Sequence, residues 1–469
     1  MRILYCNKYN YPFSGTEVYL FELMELMRSE GHEVALFSMS DPRGSPAPYD
    51  RHFVPHIDFK ERSGILQKAR CAAHAIYSSE ARRRIRAMIK EFRPDVAHVR
   101  NIYHHLSPSI LWELRAQGVP VVYHLNDFKL LCPSYNLLSQ GETCEACKGG
   151  NFWHVLWVGC YPGTGARVTL AAEAYIHKWL GTYRKCVDRF LAPSQFVRDT
   201  FVAHGWNVAK FEVLPHFQKV PLRIEPAVAK DAPLLYFGRL SPEKGVDDLL
   251  RAMKKVPHMH LVIAGDGPQR GALEDLAKRL AVTNVEFVGH VRGSNLDSLI
   301  ARSRFTVLPS HAYETLGKTI LESYAEARAV VASDLGSRRE LVHEGETGVL
   351  YPAGDVDRLA EAIEALGARP DLAEQMGRAG RESVRERYTS EQHYAAMVSL
   401  YRRVLAERSA ASSQKAGIKT WRMLSQPGRT THGLLAAGAL APRPKLRVAF
   451  IGGRGVISKY SWIGFLAKP

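Results

Sequence analysis

Leu234-Leu235-Tyr236-Phe237-Gly238-Arg239-Leu240-Ser241-Pro242-Glu243-Lys244-Gly245 is the stretch that decides how this chain folds. An apolar, β-prone run ends at a glycine, and a helical pattern begins near Gly245. A strand that feeds through a short loop into a helix is the repeating step of a parallel sheet. The loop carries two cations, Arg239 and Lys244, at the carboxyl end of the strand, where open α/β sheets place ligands. Two fixed cations there can hold a diphosphate and stabilise charge on a leaving group. Taken alone, the segment reads equally well as an exposed basic loop punctuated by Gly245.

The same step recurs on both sides. Towards the C-terminus, residues 260–264, 285–290, 305–309, 330–333 and 348–351 read as strands, with helices starting near Gln269, Asn295, Gly317 and Val356. Towards the N-terminus, residues 1–6, 33–38, 95–99, 119–125 and 190–193 read as strands, and 15–30 as an amphipathic helix. Residues 217–233 hold Pro221, Pro226 and Pro233 without periodicity and read as a linker. The predicted fold is α/β, with two doubly wound Rossmann-like domains, 1–216 and 234–388, facing a cleft. A closing helix is expected at 389–408 and a flexible tail at 409–469.

The length of 469 residues suggests about three folding units. With 46% apolar, 10% aromatic and 23% charged residues, the composition excludes global disorder, a collagen-like repeat and a disulfide-stapled miniprotein. Lys and Arg number 63 against 47 Asp and Glu, a net charge of +16 that favours an anionic partner. Nucleic acid, an acidic membrane surface and phosphorylated small molecules all satisfy that charge, but no nucleic-acid docking motif accompanies it. No apolar run is long enough to span a membrane, and the N-terminus turns polar at Asn7, too early for a signal peptide. The expectation is a cytoplasmic protein whose seven cysteines are thiols or metal ligands rather than disulfides.

A second informative segment is His311-Ala312-Tyr313-Glu314-Thr315-Leu316-Gly317-Lys318-Thr319-Ile320-Leu321-Glu322. Gly317 permits close backbone approach at a helix entrance, whose unpaired N–H groups suit a phosphate. Glu314 precedes the helix and Glu322 lies more than a turn inside it. They can therefore meet different parts of an extended ligand, such as a sugar hydroxyl and a ribose.

These elements together resemble the retaining GT-B glycosyltransferases of family four. The matching motifs are the Gly-Arg-Leu…Glu-Lys-Gly loop, Ala264-Gly265-Asp266-Gly267-Pro268, Glu314-x7-Glu322, Ala332-Ser333-Asp334…Glu340 and Glu346-Thr347-Gly348-Val349-Leu350. The resemblance covers roughly residues 1–408 and is strongest over 235–365. It implies a nucleotide-diphosphate sugar donor, with Arg239 and Lys244 on the diphosphate and Glu314 on the transferred sugar. Thr315, Leu316 and Gly317 would present backbone donors, and Glu322 would hold the ribose. Ala264–Pro268 reads as a strand-to-helix turn shaping the pocket. Asp355-Val356-Asp357 looks like a metal motif but opens a helix, where acidic residues cap. No catalytic metal or other catalytic cofactor is expected, because Arg239 and Lys244 can supply the charge.

In the N-terminal half, Ser14-Gly15-Thr16-Glu17 begins a helix, and Gly15 would allow a ligand phosphate or acceptor to approach. An ordinary capped helix start explains the segment as well. His124 ends an apolar strand where a lone histidine is usually structural. The resemblance places a histidine there beside the transferred sugar, and makes His124 a catalytic candidate. His104 and His105 are weaker acceptor-side candidates. Cys132, Cys144, Cys147 and Cys160 form Cys-x11-Cys-x2-Cys-x12-Cys in an insertion at 132–160. Four soft ligands with one Cys-x2-Cys half-site fit a structural zinc, the alternative being that some are buried thiols. Cys6, Cys71 and Cys186 read as core cysteines.

Residues 81–93 interleave Arg82, Arg83, Arg84, Arg86, Lys90 and Arg93 with Ile85, Met88, Ile89 and Phe92. Such a helix can lie on an anionic membrane or simply show a solvated face. The resemblance implies a glycan or lipid-linked acceptor, so peripheral contact with the inner face of the membrane is an expectation. Residues 444–455 resemble the opening strand and glycine loop of another GT-B domain, the stub of a truncated fusion. Two further readings stay open: a GT-B epimerase or phosphorylase, and a catalytically silent GT-B scaffold.

Overall fold

Ile3, Leu4, Tyr5 and Cys6 are completely buried, as are Val121 and Val122, so these strands are covered on both faces. That is the signature of a parallel sheet sandwiched between helices. The computed structural model describes residues 1–57, 64–222 and 231–424. The N-terminal sheet contains β1 (Arg2–Cys6), β2 (Glu33–Phe37), β3 (Val96–Val99) and β4 (Val121–His124). After a small antiparallel hairpin, β5 (Leu138–Ser139) and β6 (Glu142–Thr143), it is completed by β7 (Arg189–Ala192) and β8 (Phe211–Val213). Its order is β2-β1-β3-β4-β7-β8, and every pairing is parallel.

The second sheet contains β9 (Leu234–Phe237), β10 (Leu261–Ala264), β11 (Val285–Gly289), β12 (Thr306–Leu308), β13 (Val330–Ser333) and β14 (Gly348–Tyr351). Its order is β11-β10-β9-β12-β13-β14, again all parallel. The strand order reverses between β9 and β12, and a reversal opens a crevice at the carboxyl ends. The loops after β9 and β12 are distant in sequence and border this crevice together.

Residues 1–412 form one compact unit containing both sheets. The helix Ser390–Leu424 does not stay with the second sheet. Its Met397, Leu400, Tyr401 and Val404 pack with Ile3, Tyr5, Tyr19 and Val122 of the N-terminal domain. The Arg408 guanidinium forks onto the Asp188 carboxylate at 2.8 and 3.0 Å.

Several expectations change. The sequence pattern ends the closing helix at 408, whereas in the structure it continues to Leu424, with no proline in that stretch to break it. The sequence pattern also passes over β8, whose three residues are too short to show a period. The basic helix, Ser79–Phe92, turns Ala81, Ile85, Met88, Ile89 and Phe92 into the core, so its apolar stripe is not available to a membrane. Two of its arginines, Arg82 and Arg86, instead clasp the buried Glu113 carboxylate. Cys6 and Cys186 are buried as expected, while Cys71 is partly exposed. The stub at 444–455 lies outside the described residues, as do 223–230 of the linker and 425–469 of the tail. Among the described residues, no helix is long and apolar enough to cross a membrane.

Candidate active site

The loop after β9 is held by the turn that follows β10. Gly238 N donates to Ala264 O at 3.0 Å and Leu240 N to Asp266 O at 3.0 Å. A Cβ on Gly265 would stand 1.9 Å from Gly238 O, so only glycine lets the two backbones meet. The turn Ala264–Pro268 therefore sets the position of Arg239 and Lys244 from below.

The loop after β12 is tied to the same platform. Ser310 Oγ and His311 N both donate to Glu243 O, each at 2.9 Å. Lys244 Nζ then donates to Glu314 Oε1 at 2.7 Å. Behind Glu314 stands Arg338, a fully buried arginine whose Nε donates to Ser333 O at 2.8 Å and whose Nη2 donates to Ser310 O at 3.1 Å. Its Nη1 lies 4.0 Å from the Glu314 carboxylate, and Ser337 Oγ donates to the Glu314 carbonyl at 2.7 Å. Burial opposes ionisation of Glu314, but Lys244 and Arg338 outweigh it and hold its carboxyl below the usual range. The result is a fixed carboxylate between two cations.

Gly317 has φ +95°, a left-handed conformation, and leads into the helix Lys318–Ala325. The N-terminus of that helix, Lys244, Arg239, Glu314, Thr315 and Leu316 line one cleft of about 400 Å³. The opposite wall comes from Ser14, Gly15 and Thr16, at the start of the N-terminal helix Gly15–Ser29. Ser14 Oγ bonds Glu17 Oε2 at 2.5 Å, and the space where a Gly15 Cβ would stand is open. Backbone donors, two cations and a volume in the range of small-ligand sites make this a pocket for an anionic, extended molecule.

Two of the sequence candidates lie behind the wall. His124 is 1% exposed and does not line the cleft; His216 does, with its Nε2 3.4 Å from His124 Nε2. The imidazoles continue inward, His124 Nδ1 lying 3.2 Å from His98 Nε2 and His98 Nδ1 2.7 Å from the Tyr401 hydroxyl. Burial first, then the nearby Arg100, keeps His98, His124 and His216 well below the ordinary imidazole pKa. Glu322 also stands off the cleft wall, 3.9 Å from Lys318. Burial raises its pKa, with Lys318 opposing and Glu22 and Asp297 adding to the rise. His104 faces Glu173 at 3.7 Å, and His74 Nε2 lies 2.9 Å from the carbonyl of His105, so neither is drawn to the cleft wall.

The two domains touch beside the site. Lys318 reaches Glu22 at 3.0 Å, and Ser194 Oγ donates to Thr315 O at 2.7 Å. Glu340 accepts from the backbone N–H groups of Gln195 and Phe196 at 2.9 and 2.5 Å, closing the N-terminus of the helix Gln195–Ala203. Asp355 caps its own helix by accepting from Arg358 N at 2.9 Å. Asp247, Asp248 and His311 bring ligand atoms within 4.8 Å of one another, and His311 pairs with Asp248 at 3.2 Å.

Lys318, His216 and Arg338 are the site residues that sequence reading missed. Lys318 stood inside a quoted motif without a role. His216 and Arg338 have no local pattern that separates them from linker or surface residues.

Two doubly wound domains facing a phosphate-suited cleft define the GT-B architecture. Residues 14–216 match the family described as Glycosyl transferase 4-like domain, and 222–383 match Glycosyl transferases group 1. The chain belongs to the group 1 glycosyltransferases. It is 36% identical over 280 residues to a glycogen synthase of Mycobacterium tuberculosis, across 56% of this chain and 64% of that protein. The chain thus spans just under two thirds of that relative's length. A phosphatidyl-myo-inositol mannosyltransferase of Mycobacterium leprae is 26% identical across 79% of this chain and 88% of that protein. Among solved structures, sucrose-phosphate synthase from Thermosynechococcus elongatus superposes with TM-score 0.65 at 20% identity, covering 86% of this chain and 99% of that one. Anabaena HepE in complex with UDP and glucose gives 0.59 at 17% identity, covering 85% and 99%. These structural likenesses are likenesses of fold.

Proposed function

We propose that the chain transfers a sugar from a nucleotide-diphosphate sugar to a hydroxyl of a glycan or lipid-linked acceptor, with retention at the anomeric carbon and without a catalytic metal. The observation that carries this reading is the convergence of Arg239, Lys244, Glu314 and the Lys318–Ala325 helix N-terminus on one cleft. Arg239, Lys244 and the backbone N–H groups of Thr315, Leu316 and Gly317 bind the diphosphate. Glu314 orients the transferred sugar, and Glu322 takes the ribose once Lys318 releases it. His216 and His124 back the sugar as neutral imidazoles.

In the step, the bond from the anomeric carbon to the diphosphate oxygen breaks as the acceptor oxygen bonds to the same face. The acceptor proton passes to the departing diphosphate, so no protein nucleophile is needed. The protein's contribution is positioning and charge stabilisation of the leaving group. The names of relatives that act on a glycan and on a phosphatidyl-myo-inositol support both acceptor classes. Contact with an anionic membrane is kept in the reading, with the exposed Trp157 and Trp179 as aromatic side chains suited to a headgroup layer.

A panel of nucleotide sugars tests the reading by binding and by slow hydrolysis, with and without EDTA. The expected result is one preferred donor, EDTA-insensitive turnover and an unchanged anomeric configuration in the product. Failure of every nucleotide sugar to bind would sink it, and anomeric inversion would sink the mechanism. Turnover of a nucleotide sugar to its epimer, or of a sugar phosphate without a nucleotide, would favour the epimerase or phosphorylase.

A further inference from the structure

The cysteine-rich insertion plays no part in the cleft chemistry. It is built from weak elements: a hairpin of two-residue strands, short 3-10 turns and loops. Tyr135, Leu137 and Gln140, none of them glycine, sit at φ +61°, +51° and +51°. Backbone held in that region costs about 1 kcal/mol or more per residue and persists only where neighbours fix it. The buried apolar side chains available to do so are few, chiefly Leu137, Phe152 and Val155.

The fold gathers four thiols into this segment. Cys132 lies on the loop after β4, and Cys144 directly follows β6, its N–H donating to Leu137 O at 2.7 Å. Cys147 opens the turn Lys148–Gly150, and Cys160 follows Val158, whose carbonyl accepts from Ser139 Oγ at 3.2 Å. The Ser134 hydroxyl is 3.1 Å from Cys132 Sγ and also bonds the Cys160 side chain. Cys147 has the sulfurs of Cys132, Cys160 and Cys144 as neighbours. All four are free thiols.

We propose that Cys132, Cys144, Cys147 and Cys160 bind one zinc ion that staples the insertion to the N-terminal domain. Four thiolates from separated loop segments give the closed tetrahedral set of a structural site. Each thiol gives up its proton as its sulfur bonds to the metal, and no electron transfer is involved. No three of the four sulfurs lie within 4.8 Å of one another, so binding draws the loops together. The staple has a downstream effect on a second pocket, away from the cleft. Gly149, Gly150 and Phe152 roof that pocket over the ion pair of Lys129 with Glu173, 2.9 Å apart. Lys178 Nζ donates to Gly150 O at 2.9 Å and holds the roof to the helix Thr164–Leu180.

The test is independent of sugar transfer. The full chain is purified under reducing conditions without added metal, and its zinc is measured by plasma mass spectrometry beside a thiol titration. One zinc per chain is expected, with four thiols that react only after chelation or denaturation. Cobalt exchanged into the site should give the sulfur-to-metal charge-transfer absorption of a tetrahedral thiolate centre. The Cys144→Ser/Cys147→Ser variant should lose the metal and Cys71→Ser should keep it. A metal-free chain with freely reacting thiols overturns the proposal. So does a mass lower by two or four hydrogens, which would mean disulfides. Both readings come from the unsubstituted chain, so misfolding of a variant does not spoil the test.

Discussion

Lys244 and Glu314 stand 70 residues apart and meet at 2.7 Å, the ammonium donating to the carboxylate. The pair joins the two loops that the strand reversal between β9 and β12 brings together. Lys244→Ala and Glu314→Gln should each lower kcat on the order of 10²–10³-fold, the scale for removing one preorganised electrostatic contact. Circular dichroism melts should stay close to those of the parent chain. Near-normal transfer by both variants would refute the site assignment.

Arg338 acts on the same pair from behind. Replacing its buried guanidinium by Met removes its hydrogen bonds to the carbonyls of Ser310, Ala312 and Ser333, of which Ser310 keeps the Ser333 hydroxyl and Ser333 keeps Leu335 N. A loss on the order of 3 kcal/mol is expected, readable as a lower urea midpoint. Donor affinity should fall with it, because the loop that carries Glu314 loses its anchor. An Arg338→Met chain as stable as the parent would contradict this.

Gly265→Ala tests the floor of the donor loop. The added methyl meets Gly238 O at 1.9 Å and must push the loop bearing Arg239 and Lys244 away. A stability cost of about 1–3 kcal/mol is expected. Calorimetry should show weakened nucleotide binding, while the KM for the acceptor stays near its original value.

Glu340 belongs to the domain of the second sheet, yet caps a helix of the first. Glu340→Ala removes a cap worth about 1 kcal/mol and frees one side of the domain contact. X-ray scattering should then report a larger radius of gyration without nucleotide. An unchanged radius would mean that the other contacts, among them Lys318–Glu22, Ser194–Thr315 and Tyr313 against Phe196, hold the domains without Glu340.

Acid should unfold the protein through its buried imidazoles. His98, His124 and His216 titrate well below 6.5 because burial disfavours their charged forms, and burial brings His393 down to about 4. In the unfolded chain the same groups take protons below about 6.5. The unfolded state therefore binds more protons as pH falls from 6.5 towards 4, and stability drops by about 1.4 kcal/mol per pH unit for each such histidine. Glu314 works in the same direction. Its folded pKa is depressed, so its contribution is present at neutral pH and lost as pH falls through that lowered value. Urea midpoints should be level between pH 8 and pH 7 and fall steeply towards pH 5. A level profile down to pH 5 would show that these imidazoles are not held neutral.

The sequence by itself determined the alternation of strands and helices, the two-domain architecture and the two loops, after β9 and β12, that line one side of the cleft. These are local properties: a period of two or 3.6, a glycine where backbones cross, and a cation or carboxylate beside a strand end. The motif containing Glu314 was legible for that reason, as was the cap at Asp355. Tertiary structure alone decided that His216 rather than His124 faces the cleft, and that the final helix returns to the N-terminal sheet. It also turned the arginine-rich helix inward and made Arg338 a buried strut instead of a surface charge. Each of these depends on which distant segment supplies a residue's neighbours. Periodicity shows that a residue has a buried face, but chain reversal and domain contact choose what that face meets.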